Sequence, residues 1–356
     1  MKSYIIAISL LAIGTLGFGQ REPQTSQYLI HPVLANPAAV AIRSGNSGAL
    51  LFQKQWAGYQ DSPTSFYANF NSPLKNQKGF LGGTVVSDQV GIHSRTKVFA
   101  IYAHKFRLNQ GSYFTLGISP GADLYQSDYS NAQTDFANDP IVVQANFNKT
   151  SFNSGFGAHY YNNRFWAGVS IPALFYNYIE GTNGGKTSLS FGEMTYQFVA
   201  GWKKDLGKLI TLKPSTMLRI SPGAPLQFDI NAMFEYREQI GLGISYRSSS
   251  TLNFMANYRL TNDFKLGYAF AMQMGSELST YHSGTHELGL FYGVGNNRKA
   301  NVNLPKKIKK YRKKKAKEIK KALKEVNKEK EKEEKKKSKK EDKEEPIDDA
   351  ADQPYG

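Results

Sequence analysis

The chain has 356 residues, a formal net charge of +16 and no cysteine. The missing thiols exclude disulfides, thiol nucleophiles, Cys-bound zinc and iron–sulfur clusters. A mean hydropathy of -0.47 argues against a bundle of membrane helices but not against a membrane barrel, which turns every second residue toward water.

Residues 1–19 read as a targeting segment: Lys2 gives the charged start, Tyr4 to Leu16 the apolar middle, and Gly17-Phe18-Gly19 a small-x-small cleavage site. The apolar run falls short of the ~20 residues a spanning helix needs. The mature chain is expected to begin at Gln20 in an exported protein, so the basic charge does not point to nucleic acid. Residues 20–46 are polar and carry Pro23, Pro32 and Asn36-Pro37. They are expected to form an arm or plug folded into a barrel mouth, because Pro32 and Pro37 cannot donate to a strand ladder.

From 47 to 294 the sequence alternates. Phe228, Ile230, Ala232, Phe234 and Tyr236 share one face, and Gln227, Asp229, Asn231, Met233 and Glu235 the other. Ile240, Leu242, Ile244 and Tyr246 continue the pattern, as do Phe264, Leu266, Tyr268, Phe270 and Met272. Period two means a strand with different surroundings on its two faces. Strands of ~10 residues rich in Tyr and Phe suit a tilted bilayer crossing better than a soluble sandwich.

Fourteen candidate strands begin near Ser47, Thr64, Gly79, Ser94, Gly111, Ser151, Arg164, Glu193, Lys208, Pro225, Gln239, Thr251, Asp263 and Gly284. The expected fold class is all-β: a transmembrane antiparallel barrel of about 14 strands, with the amino-terminal arm and a charged tail. An even count puts both termini on the periplasmic side of an outer membrane. Loop lengths sort by parity. The long connections 122–150, 172–192 and 275–283 all fall on the external side, and the even-to-odd connections are short turns.

Residues 295–356 change character. Residues 301–356 hold 21 Lys and Arg against 13 Asp and Glu. Ile308, Tyr311, Ile319, Leu323 and Val326 form a thin apolar stripe, and Lys314/Glu318 and Lys321/Glu325 are i,i+4 pairs that support a helix. The acidic end is expected to be disordered. Two readings stand: a solvated appendage, or a periplasmic rod that meets another envelope component.

No constellation for catalysis is visible, and no enzyme activity, cofactor or metal site is expected. His282, His286 and Glu287 have ligand spacing only on a helix, and here they flank a strand. Gly82-Gly83, Gly241 and Gly243 read as small residues that let side chains cross the lumen. Trp56, Trp166 and Trp202 read as interface anchors. Lys265, Arg259, Arg247, Arg237, Glu235, Asp229, Lys203 and Glu287 are expected to face inward, lining either an aqueous channel or a closed lumen of paired charges.

The order of several motifs carries a resemblance. The segment Gln24 to Ala38, with Gln27-Tyr28, His31-Pro32 and Asn36-Pro37-Ala38, resembles the opening of the PorP/SprF family of type IX secretion membrane proteins. Gln55-Trp56-Ala57-Gly58 with Ser62-Pro63-Thr64 is similar to that family's next segment, and Ser245-Tyr246-Arg247 and Ser283-Gly284-Thr285-His286-Glu287 follow in order. His31 stands where an Asn is usual, and the Lys/Glu tail is an addition.

The resemblance implies an outer-membrane barrel needed for export or surface retention of one large secreted partner, such as a gliding adhesin. The barrel would receive that partner's C-terminal domain alongside other type IX secretion or gliding components and outer-membrane lipid. A porin or fatty-acid-type channel is the alternative. The residues expected to serve the plug or the partner are Gln27, Tyr28, Asn36, Pro37, Trp56, Gly58, Pro63 and Thr64.

Overall fold

The computed structural model describes residues 24–129, 147–180, 184–189, 194–275 and 283–293, with 324, 325 and 328 of the tail. The expected targeting segment, residue His282 and nearly all of the tail lie outside the described residues. Lys324, Glu325 and Lys328 are helical and exposed. Among the described residues no helix is long and apolar enough to cross a membrane.

Alternation with turns of two or three residues leaves consecutive strands no choice but to pair antiparallel. The strands are β1 (Ser47–Lys54), β2 (Thr64–Pro73), β3 (Gly79–Val90), β4 (His93–Asn109), β5 (Ser112–Ser127), β6 (Phe147–Tyr161) and β7 (Phe165–Ile171). A separate hairpin, β8 (Phe175–Glu180) with β9 (Gly184–Leu189), follows. The wall resumes with β10 (Tyr196–Trp202), β11 (Lys204–Leu206), β12 (Ile210–Ile220), β13 (Gln227–Tyr236), β14 (Ile240–Arg247), β15 (Thr251–Arg259), β16 (Phe264–Gln273) and β17 (Thr285–Gly293).

β10 and β11 are two pieces of one wall strand, both paired with β12. Their break at Lys203 lies opposite Lys213-Pro214, where Pro214 has no N–H to complete a ladder. Counted so, the wall has fourteen strands. The first strand pairs with the last in unbroken register, from Ser47 with Gly293 to Lys54 with His286, and the sheet returns on itself as a closed barrel. Observed strand starts follow the expected ones; the largest departure is β6, which begins at Phe147 rather than near Ser151. β4 runs for 17 residues, more than the ~10 that a tilted crossing needs.

The barrel is apolar outside and polar inside. Ile230 and Leu242 are each 59% exposed, whereas Asp229 is 3% and Asn253 0% exposed on the inward face. In water such an exterior would drive aggregation. Against lipid tails each outward Leu or Phe is worth on the order of 1.5–3 kcal/mol relative to exposure. Trp202 shares this outer face, but Trp166, expected as an interface anchor, instead lines cavities in the lumen. Arg237 departs too: it sits exposed in the β13–β14 turn with its guanidinium 5.2 Å over the Tyr236 ring. Its positive φ of 52° marks the tight turn.

Purified in detergent, the protein should give a strand-dominated circular dichroism spectrum and migrate faster on gels when unheated than when boiled. A helix-dominated spectrum from protein truncated after Asn296 would overturn the architecture.

Candidate functional site in the barrel lumen

The amino-terminal arm occupies the lumen as three short 3-10 turns, η1 (Ser26–Leu29), η2 (Pro32–Leu34) and η3 (Pro37–Ala41). Prolines at Pro32 and Pro37 open the last two, with φ already set for a helical first residue and no N–H to leave unpaired. The side chain of Thr25 caps η1 by accepting from the Gln27 N–H, and Asn36 Oδ1 caps η3 by accepting from Ala38 N–H at 2.9 Å.

Each stretch of the arm is held by a different part of the wall. Thr25 donates its hydroxyl to Glu287 Oε2 at 2.7 Å, and Ser26 N–H donates to Glu287 Oε1 at 3.0 Å. Gln53 donates to the same carboxylate at 3.2 Å and to Gln24 O at 2.7 Å. Glu287 is only 2% exposed. A carboxylate this deep needs converging donors, and Thr25 and Ser26 of the arm and Gln53 of the neighbouring strand β1 supply them. Asn231 donates to the Tyr28 hydroxyl at 2.9 Å. Burial and the nearby Asp229 charge hold that phenol above its usual pKa, so it stays neutral.

Further along, Asn36 Nδ2 donates to Ala158 O at 3.1 Å and Val169 O at 3.2 Å. Ser170 donates to Ala35 O, Thr115 to Ala38 O and Tyr161 to Ala41 O. Val40 and Ala41 pack against Phe80, Ile101 and Ala103. This closeness requires missing side chains on the wall. A Cβ on Gly117 would lie 2.5 Å from the Ala38 nitrogen, and one on Gly157 would overlap Asn36 Oδ1.

The direction of the arm was not foreseen. β1 starts at the mouth that carries the short even-to-odd turns. Gln24, the first described residue, lies at the other mouth, bonded to Gln53 near the end of β1 and to Gln227 at the start of β13. The described arm traverses the lumen from the long-loop mouth to the short-turn mouth. The last wall strand, β17, ends at the short-turn mouth beside Ser47.

The eight residues singled out from sequence fall in two places. Gln27, Tyr28, Asn36 and Pro37 are buried in the lumen, with Gln27 fully enclosed beside Gly267. Trp56, Gly58 and Pro63 belong to the β1–β2 connection at the long-loop mouth, and Thr64 opens β2 there. There Ala57 N–H donates to Gly284 O at 2.8 Å, Gln55 N–H to Pro63 O at 2.9 Å, and Lys54 reaches Thr64 Oγ1 at 2.9 Å. Trp56 and Gly58 hold positive φ of 47° and 93°. Glu287, expected to face inward, is the residue that anchors the start of the arm. The supports Gln53, Asn231, Gly117 and Gly157 went unnoticed, since nothing local in a strand tells which small or polar residue will meet the arm.

Inward charges pair within the upper lumen: Arg247 holds Asp229 through two contacts of 3.1 Å, and Arg95 meets Asp123 at 2.8 Å. A cavity of about 290 Å³ remains beside the arm, lined by Leu29, Pro32, Ile42, Trp166, Val199 and Met217 among others. Among the described residues no group of three His, Asp or Glu side chains could hold a metal ion.

His31 makes the seating of the arm sensitive to acid. Its Nε2 lies 3.0 Å from Asn69 Oδ1 and its ring centroid 5.9 Å from that of Phe291. Burial lowers its pKa to about 4, with Arg43 adding in the same direction. The folded value lies below the ordinary ~6.5, so the contribution of His31 to stability is complete above pH ~6.5 and is lost as the pH falls toward the folded value. Protease protection of residues 24–46 should therefore weaken across that window. The variant His31→Asn should flatten the response; an unchanged pH profile in the variant would remove His31 from the account.

A family model described as "Type IX secretion system membrane protein PorP/SprF" matches residues 17–292. No curated protein matches the sequence. Among solved structures the chain is similar to the Ralstonia pickettii toluene transporter TbuX, with 9% identity, a TM-score of 0.44, and 73% of this chain and 92% of that one covered. It is also similar to a Pseudomonas aeruginosa FadL homologue, at 10% identity, TM-score 0.40 and coverage of 79% and 98%. The Acinetobacter baumannii outer membrane protein Omp33 is similar at 9% identity, TM-score 0.40 and coverage of 70% and 99%. With its family model spanning arm and barrel together, the chain belongs to the PorP/SprF family of type IX secretion system membrane proteins.

Proposed function

We propose that the protein is an outer-membrane acceptor of the type IX pathway, needed for export or surface retention of one large secreted adhesin, whose C-terminal domain it receives. The observation that carries this reading is the arm. A barrel whose lumen is occupied along its length, and whose occupant is tied to Glu287, Asn231 and the β5–β7 wall, is built to stay closed. Closure suits an anchor or docking platform better than a conduit for solutes. In this reading Gln27, Tyr28, Asn36 and Pro37 hold the plug, while Trp56, Gly58, Pro63 and Thr64 shape a surface at the long-loop mouth for the partner. The short-turn mouth, at which β17 ends, then faces the periplasm.

A small-molecule channel is the second reading. The cavity beside the arm favours it, because its lining joins Leu29, Trp166, Val199 and Met217 to the polar Asn36 and Ser170. Movement of the arm would then have to open a path past η1 and η3.

Clean deletion of the gene, followed by proteomics of the cell surface and the medium, separates the two. Loss of one adhesin with other type IX cargo intact, accompanied by loss of gliding, is the expected outcome. Unchanged adhesin at the surface, with slowed uptake of an apolar nutrient, would support the channel instead.

A further inference from the structure

The short-turn mouth opens into a second cavity of about 280 Å³, and its lining is charged rather than apolar. Arg43 reaches it from the end of the arm, Lys203 from the break between β10 and β11, Lys213 from β12, Arg259 from β15 and Lys265 from β16. Five cations from five separate stretches of chain thus meet around one space. Only Glu235 and Glu238 oppose them in the lining. Glu235 is already engaged, with Lys213 at 2.6 Å and Lys265 at 3.9 Å.

Arg43, Lys203 and Arg259 make no ion pair or side-chain hydrogen bond among the described residues. Burial, with the neighbouring charge of Arg259, holds the Arg43 guanidinium below its usual pKa. Gathering like charges in a partly dehydrated space is unfavourable unless a counter-charge enters. Elsewhere in this lumen the pattern differs: Arg247 has Asp229, and Arg95 has Asp123. Leu29 and Ile30 of the arm form part of the chamber wall.

We infer that this chamber binds a compact oxyanion carrying two or more negative charges, entering from the short-turn mouth and held by Arg43, Lys203 and Arg259. Guanidinium groups at two of the three positions suit bidentate recognition of phosphate or carboxylate oxygens. Lys203 adds a point charge on a flexible stem. The chemistry is shared by two sources, a free phosphate-like anion and the carboxylates of an acidic polypeptide segment presented at that mouth. The inference does not need the adhesin reading: it rests on the chamber alone and holds for an anchor or a channel.

The test uses full-length protein in detergent and isothermal titration with inorganic phosphate and, separately, with a tetra-aspartate peptide. Saturable binding of at least one probe at one site per barrel is expected, weakening as salt rises from 0.1 to 1 M and the Debye length falls from ~10 Å to ~3 Å. Lys203→Gln and Arg259→Gln remove cations that hold nothing else in place, so both variants should retain heat-modifiable migration. Each should weaken binding on the order of tenfold, the cost of one charge-assisted hydrogen bond. Binding of phosphate alone assigns the free anion, and tighter binding of the peptide assigns the polypeptide source. Absence of saturable binding of either probe, or equal binding by folded Lys203→Gln and Arg259→Gln proteins, overturns the inference. Neither result bears on adhesin export, which the gene deletion reads separately.

Discussion

A lipid bilayer offers no hydrogen-bond partner, so every backbone N–H and C=O at membrane depth must find one in the protein. Everything else in this structure follows from that demand. It forces the alternating segments into one sheet and forces the sheet to return on itself, pairing β1 with β17 and β10 with β12. Closure then divides the side chains by parity. One set, including Leu50, Phe52, Ile230 and Leu242, must face hydrocarbon, and the other, including Gln53, Asp229, Asn253 and Glu287, must face whatever fills the inside.

What fills the inside is the arm, and its seating shows how polar groups are accommodated in a lumen. Short 3-10 turns expose more backbone groups than a long helix would, so each turn needs partners from the wall. Glu287, Asn231, Thr115, Tyr161 and Ser170 supply them, together with the caps Thr25 and Asn36. Dense packing on the other side comes from missing atoms: Gly117 and Gly157 let the Asn36-Pro37-Ala38 backbone approach the wall more closely than any side chain would allow. The interior is therefore unequal along its length. The β5–β7 side is packed, the region of Asp229 and Arg247 is charge-balanced, and the short-turn mouth carries cations in excess.

The same inequality relates structure to function. The wall grips its own amino-terminal arm at several independent points, whereas the β1–β2 connection, tied to Gly284 and shaped by Trp56 and Gly58, presents a formed surface at the opposite end from the cationic chamber. The two ends of the barrel thus carry different chemistry. That polarity suits a protein which meets one kind of molecule on each side of a membrane.

The sequence by itself determined the wall. Period-two alternation is a local property, and so are turn residues and loop lengths; strand count, strand starts near Ser47, Thr64, Gly79 and Thr251, the inward and outward sets and the parity of the long connections could all be read from it. The Gln27-Tyr28 and Asn36-Pro37 pairs also marked the arm as something other than a strand, because proline removes the donor that a ladder requires. Only the tertiary structure decided where the arm runs and what holds it. Glu287 and Thr25 are 262 positions apart, and Asn36 meets β6 and β7 across more than a hundred residues. Nor could local pattern show that Trp166 turns inward, that the arm enters from the long-loop mouth, or that Arg43, Lys203 and Arg259 converge. Closure of the barrel brings these residues together, and strand alternation specifies the face on which a side chain lies but not what stands across the lumen from it.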